Sequence, residues 1–313
     1  MTPPSTAEPL AWTIGAGGLI GSAVDARQTR RFHGSSIPWA DSYSAVRTIA
    51  SDAERFADET AGGPWRIVWA AGHATVATAA EYGSAELRVL REAFTAIAGR
   101  LPSGAGAVCL VSSAGGIYSG GIDSPFSEGS PPTPAGAYGQ LKLDQEHVAR
   151  ESLEGRAPLV LARVSNAYGP GQDLGKLQGL ISRLVVAAAT RQPINIFVPL
   201  STIRDYIYVD DAAAQIDYWT GLAHTQRDVQ VKVIASGEPV VLASLLKLTQ
   251  SVTGRRIPVA LGSHPSAIQQ SLDLRFLPSE RLDGRAFHRT GLPIGIRRVY
   301  DDVLQRLQST AGI

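Results

Sequence analysis

The heptapeptide Gly15-Ala16-Gly17-Gly18-Leu19-Ile20-Gly21 follows the apolar run Leu10-Ala11-Trp12-Thr13-Ile14 and opens a helical pattern that continues to about Arg27. Glycines at the first strand-to-helix junction allow a tight turn. They also let the N–H groups of a helix N-terminus approach a pyrophosphate. Two spacings overlap: Gly15 and Gly17 with a further glycine, or Gly15, Gly18 and Gly21 as G-x-x-G-x-x-G. Either predicts a dinucleotide site on Gly15, Gly17, Gly18, Leu19, Ile20 and Gly21, at the carboxyl edge of a parallel sheet. The bland alternative is an ordinary glycine-rich connection, and the position at the first strand-helix turn weighs against it.

The rest of the chain agrees with such a sheet. Short apolar runs alternate with amphipathic stretches, as strand-helix repeats require. Strands are expected at Leu10–Ile14, weakly at Arg31–Trp39, and at Arg66–Ala71, Ala107–Ser112, Leu159–Arg163, Thr202–Val209 and Val231–Ala235. Helices are expected at about Tyr43–Ala57, Ala85–Arg100, from Tyr138 onward, and at Lys176–Arg191 and Val241–Val252. The Gly/Pro/Ser-rich stretch Ala114–Ala137 is too long for a routine connection and reads as a functional segment. The fold class is therefore α/β: a doubly wound parallel sheet, or Rossmann fold, with a smaller C-terminal substrate-binding part. Residues 1–170, with returning segments at about 202–236, form the dinucleotide part; 171–201 and 237–313 form the substrate part.

With 313 residues, 44% of them hydrophobic, the chain can bury a large core. Twenty-nine basic residues against 28 acidic ones, with no long like-charge run, leave no nucleic-acid or membrane-surface footprint, so the expected partner is a small molecule. A single cysteine, Cys109, lies inside an apolar run and excludes an internal disulfide. No metal site is expected, because His33, His73, His147, His264 and the other two histidines show no ligand spacing. No apolar run approaches the roughly 18 residues of a membrane span. The reading is a cytoplasmic protein, for which a homodimer is an allowed assembly.

An acidic residue about 20 positions past the glycines would hold the adenosine ribose and indicate NAD. Here the neighbourhood reads Arg27, then Arg30-Arg31-Phe32-His33-Gly34-Ser35-Ser36, with Asp41 beyond Pro38 and Trp39. Cations and hydroxyls suit a 2′-phosphate and tilt the NAD(P) reading slightly toward NADP; a basic helix end favourable to the helix dipole is nearly as good an explanation.

Tyr138-Gly139-Gln140-Leu141-Lys142 places a phenol and an ammonium on one helix face. A phenol is a poor base at neutral pH, and a cation four residues on favours its phenolate. Ser112-Ser113 ends the preceding strand, at the sheet edge where ligands bind.

With these residues the chain resembles the NAD-dependent epimerase/dehydratase family, the extended short-chain dehydrogenase/reductases typified by UDP-galactose 4-epimerase. The resemblance rests on Gly15–Gly21, Ala70-Ala71-Gly72, Ser112-Ser113 with Tyr118, Tyr138 with Lys142, Asn166–Gly171 and Arg204–Asp211. It implies Tyr138 as acid/base, Lys142 as its partner and holder of the nicotinamide ribose, and Ser113, before Ser112, as the hydroxyl facing the substrate oxygen. It further implies cofactor contacts at Ala70, Ala71, Gly72 and Ser112, and substrate contacts at Asn166 and Arg204. Turn formation is the plain alternative for Asn166, and pairing with Asp205 or Asp210 for Arg204.

Three departures put the substrate in question. A second phosphate-gripping arginine is missing from Ala267–Asp273, with Arg275 nearest. Val198–Ile203 replaces a glycine-rich turn, and the second and third strands look merged or shortened. Ala114 and Gly115 stand where sugar dehydratases of this kind carry an Asp-Glu pair. The expected substrate is a nucleotide-activated sugar, undergoing 4-epimerisation or 4-keto reduction without dehydration. The alternatives are an NADPH-dependent reductase of a non-nucleotide ketone and a catalytically silent NAD(P)-binding sensor.

Overall fold

The computed structural model describes residues 7–76, 78–175, 179–225, 228–262, 271–280, 282 and 289–311. Its main sheet is wholly parallel, with strands β1 (Leu10–Ile14), β2 (Trp65–Trp69), β3 (Gly106–Ser113), β4 (Leu159–Val164) and β8 (Gln230–Ile234) in that spatial order. Helices cover both faces, so both alternating sets of side chains along each strand are apolar. On one face Trp12, Trp69, Val108, Leu110 and Leu161 pack with α2 (Ser42–Thr60), α3 (Ala79–Ala98) and α5 (Ala137–Leu153). On the other, Val68, Cys109, Val160 and Ala162 meet α1 (Leu19–Ala26) and α7 (Val209–Ala223).

The strand expected over Arg31–Trp39 is reduced to a single bridge between Arg31 and Ala11. Its backbone is diverted. Pro38 has no N–H to give a ladder, and the Ser35 N–H donates to the Asp52 carboxylate at 2.7 Å instead of a strand carbonyl. The chain then passes straight into α2, so β1 stands at the end of the regular sheet.

Beyond β4 the chain builds a second region. Strands β5 (Asn166–Tyr168), β7 (Ile203–Tyr208) and β11 (Asp273–Leu274) run parallel, with β9 (Pro239–Val241) antiparallel to β7. A two-stranded pair joins β6 (Ile194–Ile196) to β10 (Val259–Leu261). Around them α6 (Leu180–Thr190), α8 (Leu242–Thr253) and α9 (Leu292–Ala311) bury Leu184, Val185, Leu245, Ile296 and Val299. Of the segment 202–236, α7 and β8 lie on the main sheet, whereas β7 belongs to this second region. Among the described residues no helix is long and apolar enough to cross a membrane.

The long stretch after β3 begins with a single helical turn, α4 (Ala114–Ile117), and is fastened along its length. Phe126 exchanges backbone hydrogen bonds with Arg275 and Leu277. The Glu128 carboxylate accepts from Val233 N, Ser279 N and Ser279 Oγ. The segment thus ties the main sheet to the strand beside β7.

Cys109 is fully buried in β3, and burial pushes its thiol up to about 12. Since the thiolate is the reactive form, a thiol reagent at neutral pH should label it only as the protein opens. The labelling rate should rise with denaturant in step with unfolding; labelling of the native protein within seconds would contradict the buried placement.

Candidate active site

The glycine-rich turn is shaped by two close approaches. Gly15 has φ +93°, and a Cβ there would stand 2.5 Å from Ala71 N; a Cβ on Gly21 would stand 2.1 Å from Gly15 O. Gly15 and Gly21 are therefore fixed by the fold itself, bringing the turn against Ala70-Ala71 at the end of β2. Gly17, by contrast, faces open space. Helix α1 starts at Gly18 with no side-chain cap and no acidic residue in its first turn, so its N–H groups remain available to an anion. This cradle fits a dinucleotide pyrophosphate.

The basic residues past α1 do not gather there. Arg31 donates to Gln28 O and Ala26 O and lies 3.6 Å from Asp25, while Arg30 reaches Glu59 O. Both cations thus close helix ends. Farther along, Arg55 donates to His33 O and Ser35 Oγ, beside the buried Asp52 carboxylate. Asp41 caps α2 through Tyr43 N and Ser44 Oγ, and these hydrogen bonds hold its carboxyl below the usual range.

The two serines at the end of β3 part company. Ser112 is buried and donates at 2.7 Å to Glu146, whose carboxylate grips Arg163 through bonds of 2.7 and 3.0 Å. Arg163 also donates to Tyr118 Oη at 2.7 Å. Ser113 instead caps α4, accepting from Gly116 N, and lines an open cleft. Tyr138, at the start of α5, enters the same cleft with its ring against Gly116, where a Cβ would come within 3.0 Å of it. Lys142 Nζ lies 5.8 Å from the Tyr138 ring centroid and is itself buried.

The cleft has a volume of about 430 Å³ and is closed on the far side by the second region. Asn166 lines it and donates to Asp205 O, an anchorage in keeping with its turn-forming chemistry. Arg204 lines it too, and desolvation by burial lowers its pKa. Neither of the acids expected to neutralise it does so. Asp205 accepts from Ser165 Oγ, Ser236 N and Oγ, and Gly237 N, and among the described residues no carboxylate lies within ion-pair distance of Arg204. Thr202, another wall residue, keeps a buried hydroxyl with no partner among the described residues. The site therefore presents a desolvated cation and an orphan hydroxyl to whatever enters, while among the described residues no Asp or Glu lines it.

The second arginine candidate is spent: Arg275 makes a bidentate pair with Asp273, with its closest contact at 2.7 Å. The neighbouring positions 267–270 lie outside the described residues. Among those described, no group of three or more His, Cys, Asp or Glu is placed to hold a metal.

Sequence reasoning missed Glu86. Its carboxylate stands at the end of a hydrogen-bonded chain from Lys142 and no local pattern marks it; only the packing of α3 on α5 brings it there.

The family model described as NAD dependent epimerase/dehydratase matches residues 14–231. The dTDP-L-rhamnose 4-epimerase of Burkholderia thailandensis is 30% identical over 134 residues, 42% of this chain and 36% of that protein. The dTDP-4-dehydro-6-deoxyglucose reductase of Escherichia coli is 30% identical over 141 residues, 44% of this chain and 43% of that one. The chain thus spans well under half the length of these curated relatives. Among solved structures, MoeE5 in complex with UDP-glucose and NAD superposes with a TM-score of 0.75 at 22% identity, over 96% of this chain and 100% of the other. That likeness establishes the Rossmann-like fold.

Proposed function

This chain belongs to the NAD dependent epimerase/dehydratase family, and from that premise we propose that it is an NAD(P)-dependent enzyme acting on a nucleotide-activated sugar, as a 4-epimerase or 4-ketoreductase. One observation carries the substrate class: the cleft that brings Ser113 and Tyr138 together also holds Arg204, desolvated and without a carboxylate partner among the described residues. Such a cation favours an anionic ligand, and a phosphate satisfies it at the fork of the guanidinium.

The residues divide the work as follows. Gly15, Gly17, Gly18, Leu19, Ile20 and Gly21 would hold the pyrophosphate, with Ala70, Ala71, Gly72 and the backbone at Ser112 along the same edge. When bound, the nicotinamide supplies the hydride acceptor and donor. Tyr138 takes the proton from the substrate hydroxyl in the oxidative direction and returns it in the reductive one. Ser113 donates a hydrogen bond to the same oxygen as its carbonyl character grows, and the Lys142 ammonium, 5.8 Å from the Tyr138 ring centroid, places a positive charge beside the proton being transferred. Asn166 and Arg204 face the sugar and phosphate ends. We assign residues 1–170, with the returning part of 202–236, to the cofactor, and 171–201 with 237–313 to the substrate.

That no Asp or Glu lines the cleft among the described residues bears on the reaction. Eliminating water across two carbons needs one group to remove a proton and another to protonate the leaving hydroxyl. Ala114 and Gly115 can do neither, Asp123 is exposed, and Glu128 is committed to Val233 and Ser279. Incubation with dTDP-glucose, UDP-glucose and UDP-N-acetylglucosamine, followed by mass spectrometry and sugar analysis, should give C4 epimers if the enzyme is an epimerase, and a 4-keto nucleotide sugar with reduced nicotinamide should give the 4-hydroxy product if it is a ketoreductase. A product lighter by one water, formed at enzymatic rates, would refute the exclusion of dehydration.

For the cofactor we infer a slight preference for NADP(H). Among the described residues, Asp52 is bonded to Ser35 and Arg55 and Asp41 to the start of α2, so both carboxylates already have partners other than a ribose hydroxyl; Arg55 is an exposed cation nearby. Side-by-side titrations should give the lower dissociation constant for NADPH. A clear NADH preference would mean that an acid reaches the ribose after all.

A second reading, reduction of a non-nucleotide ketone, draws on the commitment of Arg275 to Asp273. Free UDP separates the two readings, since it should stabilise the protein against heat only if the cleft takes a nucleotide.

A further inference from the structure

Lys142 is one of four lysines in the chain, and it is held by a directed hydrogen-bond chain. Its Nζ donates to Gln145 Oε1 at 2.9 Å, and Gln145 Nε2 donates to Glu86 Oε1 at 2.8 Å. Glu86 Oε1 lies 3.7 Å from Lys142 Nζ, while Glu86 Oε2 accepts from His73 N at 2.9 Å and Ala74 N at 2.8 Å. The direction is forced by chemistry. Three donors converge on Glu86, which only an acceptor-only carboxylate can satisfy, and this obliges Gln145 to turn its oxygen to the ammonium. A Cβ on Gly72 would stand 3.2 Å from Glu86 and 3.4 Å from Lys142, so the turn after β2 rests directly on the pair. Burial opposes ionisation of Glu86, but the Lys142 ammonium and the donors from Ala74, Gln145 and His73 outweigh it and hold the carboxyl below its usual range.

The other charges around this point cancel or face elsewhere. On α5 and β4, Glu146 and Arg163 neutralise each other, with Tyr118 Oη bonded to that guanidinium. The His73 ring packs edge-on to Tyr82 of α3.

We propose that Glu86 is a positioning residue: with Gln145 it fixes the Lys142 ammonium beside Tyr138, and its carboxylate offsets part of the positive charge presented there. This rests on the cofactor reading above, and it makes the chain's own electrostatics discriminate between a cationic, oxidised nicotinamide and a neutral, reduced one.

The test is the pair of dissociation constants for NADP⁺ and NADPH, and for NAD⁺ and NADH, read at neutral pH from quenching of protein fluorescence. In Glu86→Gln the uncompensated ammonium should weaken the oxidised form selectively, raising the oxidised-to-reduced ratio at least about five-fold. Gln145→Met keeps the carboxylate, so both forms should weaken together with the ratio within about two-fold of wild type. Equal weakening of both forms in Glu86→Gln, accompanied only by a lower melting temperature, would overturn the proposal and leave Glu86 a structural residue. If Glu86→Gln does not fold, Glu86→Asp carries the test: it retains the charge and should hold the wild-type ratio, and a five-fold change there would contradict the account. Wild-type protein that binds neither nucleotide would overturn the cofactor reading itself, and this inference with it.

Discussion

Tyr138→Phe is expected to lower turnover by about 10²- to 10⁴-fold while leaving cofactor affinity nearly unchanged. The substitution removes one oxygen from a ring that is otherwise held by its surroundings: Gly116 and the small apolar cluster of Ala74, Ala79 and Leu141. No hydrogen bond of the Tyr138 hydroxyl supports the fold among the described residues, so the loss should be chemical. The split between kinetic parameters is diagnostic. A group that acts on the reacting proton lowers kcat and kcat/KM together, whereas a residue that only shapes the cleft raises KM. Full turnover in Tyr138→Phe would remove the proposed acid/base and leave Ser113 with no partner for proton transfer.

The second large effect is on stability. Glu146→Ala should cost about 3–5 kcal/mol, the usual penalty for stripping one partner from a buried ion pair. Glu146 is 1% and Arg163 4% exposed, and the carboxylate also accepts from Ser112. Its removal strands a guanidinium and a hydroxyl in the core, directly behind the strand end that presents Ser113. A double variant, Glu146→Met with Arg163→Met, should recover most of the loss, because the desolvated charges then disappear together. Urea denaturation gives both values. A cost for Glu146→Ala within about 0.5 kcal/mol of wild type, the range of an ordinary surface change, would show that the pair is not buried as described.

These two residues also show what a sequence discloses and what it withholds. The place of Tyr138 in the cleft was legible because its lysine sits four residues away and a glycine-rich turn follows the first strand, both local patterns. The alternation Ala107, Val108, Cys109, Leu110 likewise announced a strand buried on both faces, and the sheet bears it out. Glu146 and Glu86 were not legible, since each acts across 17 to 59 positions on residues brought close only by helix α5 packing on its neighbours.

Contacts distant in the chain also decide what local composition left open. The run Arg31–Trp39 has the composition of a strand, yet the competition for the Ser35 N–H was won by Asp52, a residue in the following helix. Arg30 and Arg31 read in one dimension as cations suited to a phosphate; in the fold Arg31 reaches back to the Ala26 carbonyl and Arg30 forward to the Glu59 carbonyl, both near helix ends. Ser112 and Ser113 were nearly equivalent as letters. Strand geometry separates them, because successive side chains point to opposite faces: one enters the Glu146–Arg163 network and the other the cleft. Arg204 went the other way, since the adjoining Asp205 is engaged with backbone and serine donors.

Under the proposed function one cleft brings Tyr138, a nicotinamide and a nucleotide sugar together, a meeting that single-turnover absorbance can follow. Wild-type protein loaded with oxidised cofactor is mixed with each nucleotide sugar in turn, and the near-ultraviolet band of reduced nicotinamide is followed. The account predicts that the band rises with at least one of them, decays as product forms, and fails to rise in Tyr138→Phe that carries the same amount of cofactor. A band that rises equally in Tyr138→Phe, or that never rises in wild-type protein shown to bind both cofactor and sugar nucleotide, would contradict it.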